Sequence, residues 1–290
     1  MDIAFRLVDV FTDVPFAGNQ LCVVADPPPD LATETMLSIT REIGFSETTF
    51  VTAIRDDGYD MRIFTPAGEL PFAGHPTLGT AFVLVTDGRV PNSLVQRTAA
   101  GEVPVDVDTR GGAAWMWQLP PIVGRPVSDP AIVRTVAAGA GLSVDDLVPG
   151  RPIVAISTGI GHVMVPLRDA ETLARAERDD RACREACAAI DDAESLYLFA
   201  VRGPGDVVAR MFDRSRSIGE DPATGSAAGP LGAYLAEHGL AGLPGRATVA
   251  QGEAVGRPSF LDIEVVRDDD TWHVRVGGGV RIVGNGVFHL

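Results

Sequence analysis

The 290-residue chain contains no lysine; all 24 of its basic residues are arginine. A pyridoxal phosphate Schiff base, a Schiff-base aldolase and a Walker-type phosphate loop each depend on a lysine side chain, so all three are excluded. Cysteine is nearly as scarce. Cys22 lies in an apolar segment, and Cys183 and Cys187 stand four apart in a helix-like one, where small thiols serve packing. Neither Cys-x-x-Cys nor His-x-x-x-His occurs, so no zinc site is expected, and most of the five histidines are expected to be structural. Three cysteines without a disulfide framework point to the cytoplasm. No apolar run reaches the length of a membrane span, and the first residues read as a strand and not as a signal peptide, so no membrane partner is expected. Positive charge is in deficit too. A net charge of −15 and a pI near 4.7 argue against nucleic acid or an anionic membrane as partner. An anionic substrate would be repelled at long range, so local dipoles must capture it. A dinucleotide fingerprint is also missing: Val163-Met164-Val165 continues as strand after Gly159-Ile160-Gly161, where a helix would be needed. Ordinary side chains, with no cofactor and no metal, are left to do any chemistry.

What the chain does contain is an internal repeat, which bears on architecture before propensity does. Glu69-Leu70-Pro71-Phe72-Ala73-Gly74-His75 returns 151 positions later as Glu220-Asp221-Pro222-Ala223-Thr224-Gly225-Ser226. Each copy follows an Arg-x-Phe segment (Arg62-Ile63-Phe64; Arg210-Met211-Phe212) and leads into a run of small and apolar residues. Strand, loop and helix are expected in both. Gly101-Glu102 and Gly252-Glu253 repeat at the same interval, and each half begins with two apolar strands joined through glycine. The fold class expected is α+β, with two pseudo-repeated lobes of roughly 140 residues, a usual domain size. Residues 1–119 form the first lobe and 120–279 the second, with the C-terminal strand, 280–290, returning to the first. If both loops open helices, two N-terminal dipoles facing each other across a cleft would cage a small anion, with His75 and Ser226 in corresponding places. The plainer reading is that both loops only cap helices, Ser226 being a good capping residue.

Between the loops the chain alternates strand and helix signals. Strands are expected at 3–11, 21–25, 45–54 and 60–64, and a helix after Asp30 carries Leu31, Met36, Ile39 and Ile43 at helical spacing before Gly44. Thr77 to Thr86 reads as a helix apolar nearly all round, around which a sheet must wrap. Strands at 93–98, 103–108 and 114–119 precede the proline-rich crossing Pro120–Pro126. The second lobe repeats the plan: helical signals at Asp129-Pro130 and Ser143, strands 152–157 and 162–167, a charged helical region over 169–190, and strands 195–201 and 207–213. A small-residue helix from Ala227 to Glu237 and strands 246–251, 259–266 and 271–276 complete it, and a strand at 280–288 returns to the first lobe.

Glu47, on the 45–54 strand with Phe45, Thr49 and Val51, is a carboxylate among apolar neighbours. Burial raises a carboxyl pKa towards neutrality, where it can take and return a proton. Equally, it is a glutamate on an edge strand facing water. His75, Asp221 and Ser226 can be read as a serine-hydrolase triad, although Gly225-Ser226-Ala227-Ala228-Gly229 is not the Gly-x-Ser-x-Gly elbow. Asp221 serves equally to hold its loop by bonding backbone amides. A non-catalytic binder of small anions is the third class.

Ser46-Glu47-Thr48-Thr49-Phe50-Val51, Phe72-Ala73-Gly74-His75-Pro76-Thr77-Leu78-Gly79-Thr80-Ala81 and Glu220-Asp221-Pro222-Ala223-Thr224-Gly225-Ser226-Ala227 resemble the signatures of the PhzF-type isomerase family of phenazine biosynthesis. Gln251-Gly252 and Gly256-Arg257-Pro258-Ser259 match as well. The resemblance implies a diaminopimelate epimerase-like fold, each lobe a curled, mostly antiparallel, barrel-like sheet around a central helix, with the site in the cleft between them. It implies that Glu47 shuttles a proton between two substrate carbons while His75, Asp221 and Ser226 orient the substrate. Asn19, Gly74, Thr224, Gly225 and Gly252 become candidates for substrate contact. It implies a small carboxylate metabolite as partner, trans-2,3-dihydro-3-hydroxyanthranilate for the family's prototype, secondary metabolism as the setting, and a homodimer. Gln20 stands where the family often has proline after Gly-Asn, which bears on the pocket wall. Racemases of this fold place a cysteine just before each loop glycine; Ala73 and Thr224 occupy those positions, which favours one carboxylate over two thiols.

Overall fold

The computed structural model describes residues 2–215, 218–269 and 271–290. The chain divides into two compact units, Met1–Trp117 with Gly277–Leu290, and Gln118–Val276. The expected breaks after residues 119 and 279 thus fall two or three residues earlier.

The first unit contains β1 (Asp2–Val10), β2 (Asn19–Val24), α1 (Thr33–Ile43), β3 (Glu47–Arg55), β4 (Gly58–Thr65), β5 (Gly68–Leu70), α2 (Gly74–Thr86), β6 (Ser93–Thr98), β7 (Gly101–Asp108) and β8 (Ala113–Trp117). β1 runs antiparallel to β2, β2 parallel to β3, β3 antiparallel to β4, β4 parallel to β6, and β6, β7 and β8 follow antiparallel. The last strand of the chain, Thr271–His289, pairs with both β8 and β1. Eight strands therefore close into a barrel in an α+β unit. α2 is the helix inside it, against β1, β2, β3, β7 and β8. All but the last of its 13 residues are buried, as an all-round apolar sequence requires. Gly79 makes the close approach possible, since a Cβ there would stand 2.6 Å from Leu21 Cδ2.

β3 is covered on both faces. Thr49 bonds Thr80 of α2 across 2.8 Å, while Phe50, on the other face, joins Ile3, Val24, Phe64 and the α1 residues Met36 and Ile39 in a second cluster. That outer layer, together with ladders to β2 and β4, removes the edge-strand reading of Glu47. α1 starts at an Ala32 cap without a side-chain bond, two residues beyond Asp30, and Gly44 ends it in the left-handed region at φ 71°.

The second unit contains β9 (Ile122–Val123), α3 (Pro130–Gly139), β10 (Val154–Ser157), β11 (Gly161–Pro166), α4 (Ala170–Ala174), α5 (Asp180–Ala188), β12 (Ser195–Gly203), β13 (Asp206–Asp213), β14 (Glu220–Asp221), α6 (Gly225–Glu237), β15 (Gly245–Gln251) and β16 (Ser259–Asp268). The strand Thr271–His289 is β17. Its ladders run antiparallel from β9 to β10 and β10 to β11, parallel from β11 to β12, antiparallel to β13, parallel from β13 to β15, and antiparallel to β16. α6 packs against β10, β11 and β16 with all but its last residue buried. α3, α4 and α5 form a separate layer, in which Val136, Ala140, Leu173, Cys183, Ala186 and Cys187 pack with Leu196, Leu198 and Phe212. The charged region expected as one helix is two, because each has its own aspartate cap: Asp169 accepts from Thr172 N at 2.7 Å and Asp179 from Ala182 N at 2.7 Å. The two strands expected at 271–276 and 280–288 are one. Gly277 and Gly279 are not a break but a clearance, since a Cβ on either would meet Trp115 Cδ2 at 2.3 Å or Thr12 O at 2.5 Å.

Candidate active site

In the first unit Glu47 opens β3 beside Leu21 of β2, and His75 is the second residue of α2. Glu47 Oε2 lies 3.3 Å from His75 Nε2, and the two residues are 9% and 5% exposed. The α2 cap, Ala73, has no hydrogen-bonding side chain, so the cap residue itself does not occupy the amide dipoles at the helix start. A carboxylate and an imidazole close together, both nearly out of water and beside a helix N-terminus, can exchange a proton with a bound molecule while the dipole favours its anionic group. Asn19, at the start of β2, is buried and accepts from Ser46 Oγ at 3.3 Å, one residue before Glu47. Gly74 is the first residue of α2.

In the second unit the loop from β14 to α6 is held by a buried polar network. Thr224 Oγ1 donates to Asp221 Oδ2 at 2.6 Å. Gln251 Nε2 donates to Asp221 O at 2.8 Å and to Thr224 Oγ1 at 3.0 Å, and its Oε1 accepts from Tyr197 Oη at 2.9 Å. Burial first, and then the Asp221 charge, push the Tyr197 hydroxyl far up, so it remains a donor. Gly252 sits at φ 84°, and a Cβ there would approach Pro222 O to 2.5 Å, so this glycine lets the next strand lie against the loop. Gly225 and Ser226 are the first two residues of α6, and Gln118 Nε2 donates to Gly225 O at 2.7 Å. The α6 cap is Thr224 and not Ser226, which frees Ser226 from the capping role.

Ser226 Oγ lies 3.1 Å from His162 Nε2, and His162 Nδ1 lies 2.7 Å from Ser195 Oγ. His162 is 2% exposed, and burial pushes its imidazole down to about 3. The ring on Ser226 is thus His162, its far nitrogen meets a serine, and burial makes it a weak base, so this pair is not poised to activate a hydroxyl. His162 and Tyr197 carry no motif of their own, and Gln251 stands out only through the Gln251-Gly252 match. For His162 the available signal was a lone polar residue in the apolar run Gly161–Val165. Among the described residues no group of three or more His, Cys, Asp or Glu side chains could hold a metal ion.

The buried imidazole has a consequence for stability. Its folded pKa is depressed below the unfolded value of about 6.5, so below that pH the unfolded chain binds a proton that the folded one refuses. Stability is therefore lost as pH falls from about 6.5 towards 3, by at most about 1.4 kcal/mol per unit. Urea unfolding at pH 7 and pH 5 should show the gap between wild type and His162→Gln narrowing by about 2 kcal/mol at the lower pH. An unchanged gap would mean that His162 takes up a proton in the folded protein.

The sequence profile of the phenazine biosynthesis-like protein family, PhzC-PhzF, matches residues 8–286. The chain belongs to this family and is of its isomerase class. An isomerase of Deinococcus radiodurans is 36% identical over 288 residues, covering 97% of this chain and 93% of the relative. The trans-2,3-dihydro-3-hydroxyanthranilate isomerase of Pseudomonas chlororaphis is 33% identical over 296 residues, covering 99% of both. The crystal structure of the Bacillus anthracis phenazine biosynthesis protein of the PhzF family superimposes with a TM-score of 0.88 at 27% identity over the whole of both chains.

Proposed function

We propose that the protein is a cofactor-independent isomerase in which Glu47 takes a proton from one carbon of a small carboxylate-bearing metabolite and returns it to another. The observation that carries this reading is the buried Glu47 carboxylate 3.3 Å from His75 at the start of α2. Strand register supports a single carboxylate. Glu47 opens the parallel ladder of β2 with β3 opposite Leu21, and Ser195 opens that of β11 with β12 opposite His162. A hydroxyl thus stands in the second unit where the first has a base, as expected of one repeated lobe in which only one copy kept proton chemistry. The same succession of antiparallel and parallel ladders in the two units also supports that repeat. His75, Asp221 and Ser226 are proposed to orient the substrate, with Asn19, Gly74, Thr224 and Gly225 in contact with it, and Gly252 serving the loop.

The proposed substrate type is that of the P. chlororaphis relative, with secondary metabolism as the setting. The test is conversion of trans-2,3-dihydro-3-hydroxyanthranilate by purified protein after EDTA dialysis, followed by NMR. No conversion at high enzyme concentration would reject this substrate type. If one carboxylate carries the proton, deuterium placed at the donor carbon should appear in part at the acceptor carbon in ordinary water. Mass spectrometry at low conversion reads this. Complete washout that persists at undiminished rate in Glu47→Gln would assign the shuttle elsewhere.

Three unpaired, buried cysteines support a cytoplasmic setting, and no helix among the described residues is long and apolar enough to cross a membrane. A homodimer is proposed, supported by exposed Leu119, Ile122 and Val123 around the short strand β9. Light scattering that returns the 30.5 kDa monomer mass at micromolar protein would reject it.

A further inference from the structure

Ser195, His162 and Ser226 form a chain of three side chains whose hydrogen atoms can be placed by accounting. Ser195 is wholly buried, and His162 Nδ1, 2.7 Å away, is its side chain's hydrogen-bond partner among the described residues. If Nδ1 carried the proton and donated it to Ser195 Oγ, the serine's own hydrogen would be buried without an acceptor. An orphaned buried donor is costly, whereas a serine donating to a bare Nδ1 leaves none. A neutral imidazole with a bare Nδ1 must carry its proton on Nε2. That nitrogen then donates to Ser226 Oγ at 3.1 Å. Burial that pushes the ring down to about 3 keeps it neutral and so keeps the choice between tautomers a real one.

We propose that His162, locked by Ser195, is a positioning residue that occupies a lone pair of Ser226 and so turns the Ser226 hydroxyl hydrogen away from the ring, as a donor for the carboxylate of a ligand. Ser226 is 7% exposed, and among the described residues its side chain bonds His162 and no other side chain. The direction of the chain is Ser195 O–H to Nδ1, then Nε2–H to Ser226 Oγ, then Ser226 O–H outward. With the opposite direction Ser226 would offer only lone pairs, and an anion would meet repulsion there. In the second unit the histidine is thus not a base but a fixed donor that sets the polarity of a serine. The ligand half rests on the isomerase reading; the tautomer half does not.

The experiment is long-range proton–nitrogen NMR on protein labelled with nitrogen-15 histidine, with the His162 signals assigned by their loss in His162→Gln. The free wild-type protein should show a protonated Nε2 and a bare Nδ1, unchanged from pH 8 to pH 5. A protonated Nδ1, or an imidazolium forming in that range, would overturn the proposal. Ser195→Ala removes the donor to Nδ1 and should populate both tautomers, whereas a merely packed histidine would keep its wild-type spectrum. Benzoate, a plain ring carboxylate, should perturb the Nε2–H signal on binding, and Ser226→Ala should weaken it by about tenfold, the worth of a hydrogen bond to a charged group. Equal affinity in Ser226→Ala, or no binding of benzoate to the wild type, would remove the ligand half. Failure of the isomerase assay with these NMR results intact would instead reject the substrate and leave the tautomer lock standing.

Discussion

Glu47→Gln is expected to lower turnover of trans-2,3-dihydro-3-hydroxyanthranilate by at least about a hundredfold, the lower end of what a positioned acid–base group contributes. Glutamine keeps the length, the volume and a carbonyl oxygen at the start of β3, so the ladder to Leu21 and the packing against α2 should survive. What it loses is the capacity to hold a proton at neutral pH. Because the side chain is 11% exposed, solvent has little room to replace it as the base. His75, 3.3 Å away, is the group best placed to compensate, so the double variant with His75→Asn separates the two. If Glu47 alone carries the proton, adding His75→Asn to Glu47→Gln should cost no more than His75→Asn costs the wild type through lost substrate orientation. The loss should fall on kcat and on kcat/KM alike, as for an interaction made only in the transition state. Wild-type kcat in a variant with an unchanged melting temperature would remove Glu47 from the chemistry.

The parts of this molecule that local chemistry determines were readable in its sequence. The two Glu-x-Pro-x-x-Gly loops do lead from strand into helix, and their helices are buried all round because they have no polar face. The helices begin at Gly74 and Gly225, before the residues expected, since neither cap residue makes the side-chain bond by which a helix start is usually recognised. Where tertiary context decides, sequence reading stopped short. Glu47 could not be placed in the interior without knowing that α1 covers the other face of β3. Ser226 meets a strand histidine 64 positions away, a partner that its loop motif does not announce. Tyr197 and Gln251 are 54 positions apart and become partners only through the curl of the sheet. The strands expected at 271–276 and 280–288 are one, and β17 runs through the glycines between them because neighbouring atoms stand where side chains of residues 277 and 279 would be.

The repeated Arg-x-Phe and loop glutamate form the same ion pair twice, and the two copies should differ greatly in what they contribute. Arg62 donates from Nε and Nη2 to Glu69 at 2.8 and 2.6 Å, and Arg210 does so to Glu220 at 2.8 and 2.7 Å. Each guanidinium also lies 5.0 Å from the ring centroid of the phenylalanine two residues on, Phe64 or Phe212, so that contribution cancels in the comparison. The difference is water. The side chains of Arg62 and Glu69 are 30% and 40% exposed, those of Arg210 and Glu220 12% and 14%. Arg210 Nη1 further donates to Ala176 O at 2.6 Å and Leu173 O at 3.2 Å, satisfying carbonyls at the end of α4. Arg62→Ala leaves a glutamate that water can solvate and should cost about 1 kcal/mol or less. Arg210→Ala leaves a buried carboxylate and two carbonyls without their donor, and should cost about 3–5 kcal/mol. The cost should fall in large part when Glu220→Gln is added, because the stranded charge and not the lost attraction is the main penalty. Urea unfolding of the two single variants and the double variant measures this. Equal losses for Arg62→Ala and Arg210→Ala would mean that solvent reaches both pairs alike, and that the loop carrying Asp221 and Thr224 is not anchored through Glu220.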